Sequence, residues 1–328
     1  MSYPSIFKTA TCARCTWENY PTGPEQIESR VKSLAHVPIR PSQDVSVGFC
    51  PIFGDDTEAF THQEAGVLFM LFRAEEKKIN SARAKRLCQS ECARIARERG
   101  VQTSDLTKDE RKQVENKIKE DMLKRAEPSE KHLAIAFDRG AGLMFFNAPQ
   151  NSFVERFTAE LRKIFPDIAL SPLVSTDLSP FLTTWLNAPS SMPRGSVIGG
   201  EAAMEYEDSK ATMSATDLTA ADVQTFVANH RTVTRLSIVL VGAAEFVLTK
   251  AAEVRRLSIL NEEDTGSADG DSGGVPEDRA TMLAGEMFLN AKLLKQIFDW
   301  IHEQCVLEDG EGDFLGDGTY LLSDGAGK

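Results

Sequence analysis

The pattern in this sequence that is closest to a catalytic site combines an acidic pair with a Glu-Glu-Lys sequence. The acidic pair is at residues 55–56, an apolar run covers residues 66–73, and Glu75, Glu76 and Lys77 follow that run. Metal-dependent nucleases hold a divalent ion between two carboxylates and place a lysine near the attacking water. The spacing therefore permits a nuclease that uses Asp56 with the Glu-Glu-Lys sequence. The alternative is a helix N-terminus, where glutamates interact favourably with the helix dipole and the lysines are solvated.

Cysteine and histidine side chains could provide a different chemistry, the binding of a transition metal. Cys12 and Cys15 form a CxxC pair, but a structural zinc site needs about four ligands, and no second CxxC or HxxxH pair occurs. We expect both cysteines to be small residues of a strand, with metal binding as the alternative. We expect His62, close to the acidic pair, to be a hydrogen-bonded histidine of a loop. No P-loop, GxGxxG or Ser-His-Asp pattern occurs, so we predict no cofactor.

Basic residues are concentrated in one stretch of an acidic chain. The 328 residues carry a net charge of −12, yet residues 73–125 contain 16 Lys and Arg and 10 Asp and Glu, a net charge of +6. Residues 261–328 contain 16 acids and 4 bases, a net charge of −12. A local basic excess indicates a polyanionic partner because the field at a phosphate depends on the charges near it. We predict nucleic acid as that partner. A solvated, salt-bridged helical hairpin without a ligand is the alternative.

Two helices are predicted to present these basic residues. The first follows from an apolar stripe at about every fourth residue between 84 and 95, and Gly100 ends it. Thr107 and Glu110 have the spacing of a capping box, which begins the second helix. The second helix has its stripe at Val114, Ile118 and Met122. We therefore predict a helical hairpin lobe at about residues 73–127, inserted into a sheet domain after a buried strand at residues 66–73.

The remaining elements indicate an α+β protein with antiparallel sheets and packed helices, in two domains. The first domain is predicted at residues 1–170. Its elements are a strand within 6–20, helices at 25–35 and 152–164, a loop at 48–56, and a strand hairpin at 131–138 and 141–147. The second domain is predicted at residues 171–306. Its elements are a helix with Ser179 as its N-cap, helices at 219–229 and 286–305, and an antiparallel meander at 233–241, 245–250 and 254–260. Residues 261–278 and the acidic tail at 307–328 are predicted to be flexible.

The sequence contains no predicted membrane-spanning or secretion segment, and this bears on the expected cellular location. No apolar run approaches the roughly 20 residues that span a bilayer, and the first residues have no signal-peptide core. Six scattered cysteines fit reduced thiols better than a disulfide framework. We therefore expect a cytoplasmic protein with no membrane partner.

Several short motifs follow one another along the chain. They are Ser42-Gln43-Asp44, Gly48-Phe49-Cys50-Pro51, Thr61-His62, Glu75-Glu76-Lys77, Leu123-Lys124-Arg125-Ala126, Leu182-Thr183-Thr184-Trp185-Leu186, Asp217-Leu218-Thr219, Val233-Thr234-Arg235-Leu236 and the segment 283–286. In type and order they resemble the RdgC family of bacterial recombination-associated DNA-binding proteins. The resemblance extends from about residue 25 to residue 304. Two positions depart from the family pattern: Glu127 replaces a family phenylalanine, and a family basic-polar pair is reduced to Lys210.

The resemblance implies a homodimer closed into a ring with duplex DNA through its central hole. It implies nucleoid-associated, non-sequence-specific binding to the DNA backbone and a restraining effect on RecA-type recombinase filaments. Some members of the family are labelled as exonucleases. We expect no catalysis, and we keep two alternatives: a metal-dependent DNA exonuclease and an acidic protein-interaction module. The predicted phosphate contacts are Arg73, Lys77, Lys78, Arg83, Lys85, Arg86, Lys124, Arg125 and Lys210.

Overall fold

The computed structural model confirms an α+β fold with antiparallel sheet pairing. It describes residues 7–17, 23–54, 57–147, 151–207, 209–214, 217–220, 223–224, 231–260 and 276–305. The strands are β1 (Thr9–Thr16), β2 (Val45–Cys50), β3 (Thr61–Glu64), β4 (Val67–Lys77), β5 (Pro128–Asp138), β6 (Leu143–Phe146), β7 (Ala169–Pro172), β8 (Ser196–Tyr206), β9 (Ser209–Ser214), β10 (Thr232–Leu240), β11 (Ala244–Thr249) and β12 (Val254–Ile259). The helices are α1 (Pro24–Ser33), α2 (Ser81–Arg99), α3 (Lys108–Arg125), α4 (Asn151–Ile164), α5 (Ser179–Asn187) and α6 (Pro276–Cys305).

The strands form one continuous hydrogen-bonded sheet, in the order β2-β4-β5-β6-β1-β12-β11-β10-β8-β9. β3 pairs with β4, and β7 pairs with β1, outside that path. β1 joins the two halves, because it pairs with β6 through Thr11 to Arg14 and with β12 through Thr9 and Ala10. The predicted domain division near residue 170 remains a prediction.

Two buried clusters lie on opposite faces of the first half of the sheet. The α6 core contains buried side chains of α5 and α6, and the α4 core contains those of α1 and α4. β4 contributes alternate residues to both cores, which explains its uninterrupted apolar run, since a strand covered on both faces has no polar side. Val67, Phe69 and Leu71 face the α6 core, and Leu68, Met70 and Phe72 face the α4 core.

Several predicted elements are confirmed. The hairpin of β5 and β6, the meander of β10 to β12 and helices α1 to α5 lie close to their predicted positions. Thr107 and Glu110 form the predicted capping box at the start of α3. Gly100 follows α2 with φ of +67°, a left-handed conformation that glycine adopts without steric cost.

The strand predicted to stop at residue 73 is longer in the structure, and the following helix starts later. β4 continues to Lys77 because residues 73–76 pair with β2 on one side and residues 73–77 with β5 on the other. This pairing on both sides keeps charged residues extended that would otherwise suit a first helical turn. The helix N-terminus proposed for Glu75 and Glu76 is therefore wrong, and α2 begins at Ser81.

The loop predicted at residues 48–56 begins with the last residues of strand β2. Gly48 is required within β2, since a Cβ there would lie 2.5 Å from backbone atoms of His36. The strands β2, β3, β7, β8 and β9 were not predicted. Ser179 is the first residue of α5 rather than its N-cap, which is Leu178. α6 begins at Pro276, ten residues before its predicted start and inside the predicted loop.

Some predictions lie outside the described residues. These are most of the helix at 219–229, the loop residues 261–275, the tail at 307–328, and the acidic pair at 55–56. Within the part of the chain that the structure describes, no helix combines the length and apolar character needed to cross a membrane.

Candidate nucleic-acid interface

Helices α2 and α3 are joined to the sheet through adjacent ends of two paired strands. β4 ends at Lys77 and β5 begins at Pro128, and these two residues are register partners. The chain between them, which forms both helices, therefore leaves and re-enters the sheet at one place. Pro128 is tolerated at the first residue of β5 because a missing N–H costs little there.

The two helices hold together through a small core of their own. Its buried members are Cys92, Ala96, Leu106 and Val114, with Ile95 and Ile118 packed against them. One ion pair between the helices adds to it. Arg99 of α2 forms an ion pair with Glu110 of α3, and this hydrogen bond, with those from Thr107, lowers the pKa of Glu110 to about 2. Most other positions of both helices are exposed.

A groove lies between the N-terminal half of α2 and the C-terminal half of α3, and it encloses about 620 Å³. Four cations and two carboxylates line it, so its formal charge is +2. Between the charged residues the lining is mostly apolar, with Asn80 and Ser90 as its uncharged polar residues. The charged lining residues are Lys78, Arg83, Lys117, Arg125, Glu91 and Asp121, and the main apolar ones are Ile79, Leu87, Ile118 and Met122.

Five of the nine predicted phosphate contacts have neither an ion pair nor a side-chain hydrogen bond with any described residue. They are exposed and lie on α2, at the end of α3 or in the link between β4 and α2. An exposed cation without a carboxylate neighbour keeps its full charge available to a ligand. These five are Lys78, Arg83, Lys85, Arg86 and Arg125.

Three of the other four are engaged by carboxylates. Arg73 Nε donates to Glu130 Oε1 at 2.8 Å and to His132 Nε2 at 3.1 Å. Lys124 Nζ lies 2.8 Å from Glu120 Oε1, and this hydrogen bond raises the pKa of Lys124. Lys210 Nζ lies 3.2 Å from Glu205 Oε1. Lys210 is also on β9, at the opposite edge of the sheet from the β2 and β4 strands.

The ninth, Lys77, is bound to backbone rather than to a carboxylate. Its Nζ donates to the carbonyl oxygens of Arg40 at 3.2 Å and Pro41 at 3.0 Å. Lys77 thus anchors the segment before β2 and remains partly exposed.

The two glutamates of the nuclease-like pattern point away from each other. They are consecutive in β4, so their side chains lie on opposite faces of the sheet. Glu75 Oε2 accepts the backbone N–H of Ile39 at 2.7 Å. Glu76 is paired with Arg156 of α4 and with Lys131 at 3.3 Å. Burial raises the pKa of Glu76, but hydrogen bonds from Arg156 and Lys131 outweigh this and lower it.

The two cysteines of the CxxC pair also face opposite sides. Cys12 belongs to the α6 core and Cys15 to the α4 core, so the two sulfur atoms do not converge on one ion. Burial raises the pKa of the Cys15 thiol to about 12, which disfavours the thiolate that a metal requires. Among the described residues, no group of three or more His, Cys, Asp or Glu is placed to hold a metal ion.

His62 lies in strand β3 rather than in a loop. Its Nε2 is 3.4 Å from Glu64 Oε2, and its ring packs against Phe53 and Phe69. The predicted hydrogen-bonded role fits, but the predicted loop is wrong because residues 61–64 pair with β4.

Two functional candidates were not predicted. Lys117 lines the groove, and the sequence contained a signal for it, because Lys117, Asp121 and Arg125 recur at the four-residue spacing of one helix face. Arg156, which neutralises Glu76, lies 80 residues away along the chain, and no local pattern predicts that pair.

Comparisons with known proteins test the resemblance. A family model described as "Putative exonuclease, RdgC" matches residues 6–305. "Recombination-associated protein RdgC" of Halorhodospira halophila is 25% identical over 288 residues, which cover 84% of this chain and 91% of the relative. The protein of that name from Laribacter hongkongensis is 28% identical over 250 residues, covering 74% and 81%. The one from Salmonella typhimurium is 21% identical over 247 residues, covering 73% and 78%.

The family match covers every strand and helix described above, and it stops where α6 ends. The resemblance carried by the short motifs is thereby confirmed, and the chain belongs to the RdgC family.

Proposed function

We propose that this protein binds double-stranded DNA without sequence preference and acts in homologous recombination. The relatives carry the name recombination-associated, which supports the second part. The first part rests on the five exposed cations of the α2–α3 region that have no ion pair with a described residue. An acidic chain that keeps uncompensated cations in one place has a surface suited to phosphates.

DNA binding of this kind uses charge rather than base contacts. Lys and Arg side chains that neutralise phosphates release counterions, and this contribution does not depend on sequence. The predicted contacts Arg73, Lys124 and Lys210 are held by carboxylates, so we assign them a smaller share. Lys78, Arg83, Lys85, Arg86 and Arg125 provide the main share.

The binding unit in this proposal is a homodimer closed into a ring around the duplex. Two subunits close a ring only through two separate isologous contacts. The ring carries the basic residues inside and the acidic excess outside, so its exterior repels DNA that approaches from the side. DNA then enters by threading or by opening of one contact. A nucleoid-associated ring on the duplex would restrain RecA-type filaments by occupying the DNA on which they act.

The test is a salt titration of DNA binding. Fluorescence anisotropy of a labelled duplex gives log K at several salt concentrations for the natural chain and for R83A/K85A/R86A. The triple variant should lower the magnitude of the salt slope by about 2.7, at about 0.9 per lost phosphate contact. A matched control, R94A/R99A/K124A, removes three cations that are already ion-paired and should change the slope far less. An unchanged slope in the first variant would contradict the assignment.

The same samples test the exonuclease alternative, which the family description keeps open. We expect DNA recovered after incubation with Mg²⁺ to have its full length on a gel. Mg²⁺-dependent shortening that disappears in Glu76→Gln would overturn the non-catalytic proposal and favour the nuclease. Absence of any DNA binding at physiological salt would favour the protein-interaction module.

A further inference from the structure

The groove between α2 and α3 combines two chemical properties, and DNA explains only the first of them. Its cations are available, because the two carboxylates in its lining are engaged by others: Glu91 pairs with Arg94 at 2.7 Å, and Asp121 lies 3.9 Å from Lys124. Its floor is apolar, and Leu87 is 41% exposed there on an otherwise highly charged helix.

A ligand that satisfies both properties carries carboxylates and large apolar side chains together. A phosphate backbone pairs with the cations but leaves the apolar floor in contact with water. A peptide with acidic residues beside aromatic or leucine side chains pairs with the cations and also buries apolar surface, at about 25 cal/mol per Å².

This chain contains such a peptide directly after α6. Residues 306–328 include six Asp and Glu and one Lys, a net charge of −5. They also contain Phe314-Leu315 and Tyr320-Leu321-Leu322, and they lie beyond the end of the family match at residue 305. A second acidic segment, residues 261–275, has five Asp and Glu, no Lys or Arg, and no aromatic residue or leucine. Charge alone does not separate the two segments, but apolar content does.

Residues 306–328 are long enough to reach the groove. Its 23 residues span up to about 75 Å when extended. A compact chain of 328 residues has a radius of gyration of about 20 Å, which is well below the extended length of the segment. Cys305, from which the segment departs, is buried in the α6 core.

We propose that residues 306–328 dock in the α2–α3 groove, with their carboxylates on the groove cations and their apolar side chains on its floor. Docked in this way, the segment takes the place of DNA phosphates and weakens DNA binding. The competition rests on the proposed DNA-binding function, whereas the docking itself does not.

Docking is tested without DNA by zero-length carbodiimide cross-linking of the full chain, which joins a lysine amine to a carboxylate in contact with it. Peptide mass spectrometry should recover links from Lys78 or Lys117 to the acids at 308–313. The Lys124–Glu120 pair provides an internal positive control. F314S/L315S, which removes no charge, should reduce the groove links severalfold. Equal links from the groove lysines to residues 261–275, or no links to residues 308–313, would overturn the proposal.

Competition is tested by charge-matched variants of the full chain. In the natural chain the tethered segment has an effective concentration in the millimolar range, so only a minority of grooves are open to DNA. E308Q/D309N/E311Q/D313N should release the segment from the groove and tighten binding of the labelled duplex about five- to tenfold. E262Q/E263Q/D264N/D269N changes net charge by the same amount and should tighten binding less than twofold. Equal tightening by both variants would overturn the competition.

The two measurements separate the inference from the function on which part of it rests. Groove links in a protein that binds no DNA would uphold docking and reject the DNA-binding proposal. Salt-dependent DNA binding without groove links would uphold the function and reject docking.

Discussion

The buried half of β4 and the helices α2 and α3 show how differently two adjacent regions use their residues. Residues 67–72 are buried on both faces of the sheet. Phe72 alone contacts three aromatic rings, those of Phe49, Phe153 and Phe157, at centroid distances of 5.3, 5.7 and 5.5 Å. Few side chains other than the present ones would fill these positions.

The helical pair has the opposite character. Its own core has four buried side chains, and the rest of its surface is largely charged and exposed. Packing therefore constrains the choice of side chain at only a few positions of these helices. Some cations there, such as Arg99, hold the two helices together, whereas others, such as Lys85 and Arg86, have no ion pair with a described residue. The comparison separates residues kept for packing from residues available for binding.

The contrast between the tightly packed sheet and the loosely packed helices would be wrong if a large core residue of the sheet could be removed without loss of stability. Phe72→Ala should lower the free energy of unfolding by about 3–5 kcal/mol, because it removes a ring that three aromatic neighbours surround. Val114→Ala, in the small core of the helices, should cost only about 1–2 kcal/mol. Urea denaturation followed by circular dichroism measures both. Similar costs for the two variants would show that the helical pair is as tightly packed as the sheet.

The same difference decides how much of the fold could be predicted. β4, β5 and the meander were predictable because their apolar side chains repeat at strand spacing. β8 and β9 were not, because β8 contributes small residues such as Ala202 to the core and contains Gly199 and Gly200, which weaken a strand pattern. The charged end of β4 was missed because pairing with β2 and β5, which local sequence does not encode, holds residues 73–77 extended.

Prediction of the candidate site succeeded for its location and failed for its details. The basic excess at residues 73–125 was visible from composition, and the helices that carry most of it were visible from a capping box and a glycine. Which cations are already paired was not visible. Glu130 reaches Arg73 from the neighbouring strand, and Glu205 reaches Lys210 across a hairpin. The groove itself depends on how the two helices pack together, which no single-helix pattern describes.

Glu76 lies where the buried part of β4 gives way to its charged end, and the contribution of its ion pairs to stability can be measured. Glu76→Gln should lower the free energy of unfolding by about 2 kcal/mol at pH 7, between the limits for exposed and buried pairs, because Arg156 and Lys131 lose their anion.

The pH dependence of that effect follows from the lowered pKa of Glu76 in the folded chain. Its stabilising contribution is fully present above the unfolded pKa and is lost as pH falls through the lower folded pKa. The difference between the urea midpoints of the two proteins should therefore shrink as pH falls below the unfolded glutamate pKa of about 4.3. A difference that stays constant down to pH 3 would mean that the loss at pH 7 is not electrostatic.

A smaller, local effect is expected at the capping box. Thr107→Ala should destabilise α3 by about 1 kcal/mol, because the hydroxyl that accepts the Glu110 N–H is lost. Hydrogen exchange should increase in the first turns of α3 and stay unchanged in β4 and β5, since the helices have a core separate from the sheet. Thr107→Ser keeps the hydroxyl and should restore most of the protection. Faster exchange throughout the sheet would show that the two regions unfold together.

The smallest effect on stability should come from the residues assigned to DNA. R83A/K85A/R86A removes three exposed cations without ion pairs and replaces them with the residue of highest helix propensity, so the free energy of unfolding should change by less than about 0.5 kcal/mol. The cap of α2 is unaffected, since the Asn80 side chain accepts the backbone N–H of residue 83. Urea denaturation of this variant should be compared with that of R94A/R99A/K124A, which breaks surface ion pairs and should therefore be the more destabilised of the two. A loss above 1 kcal/mol in R83A/K85A/R86A would assign these cations to the fold, and its weaker DNA binding would then no longer identify phosphate contacts.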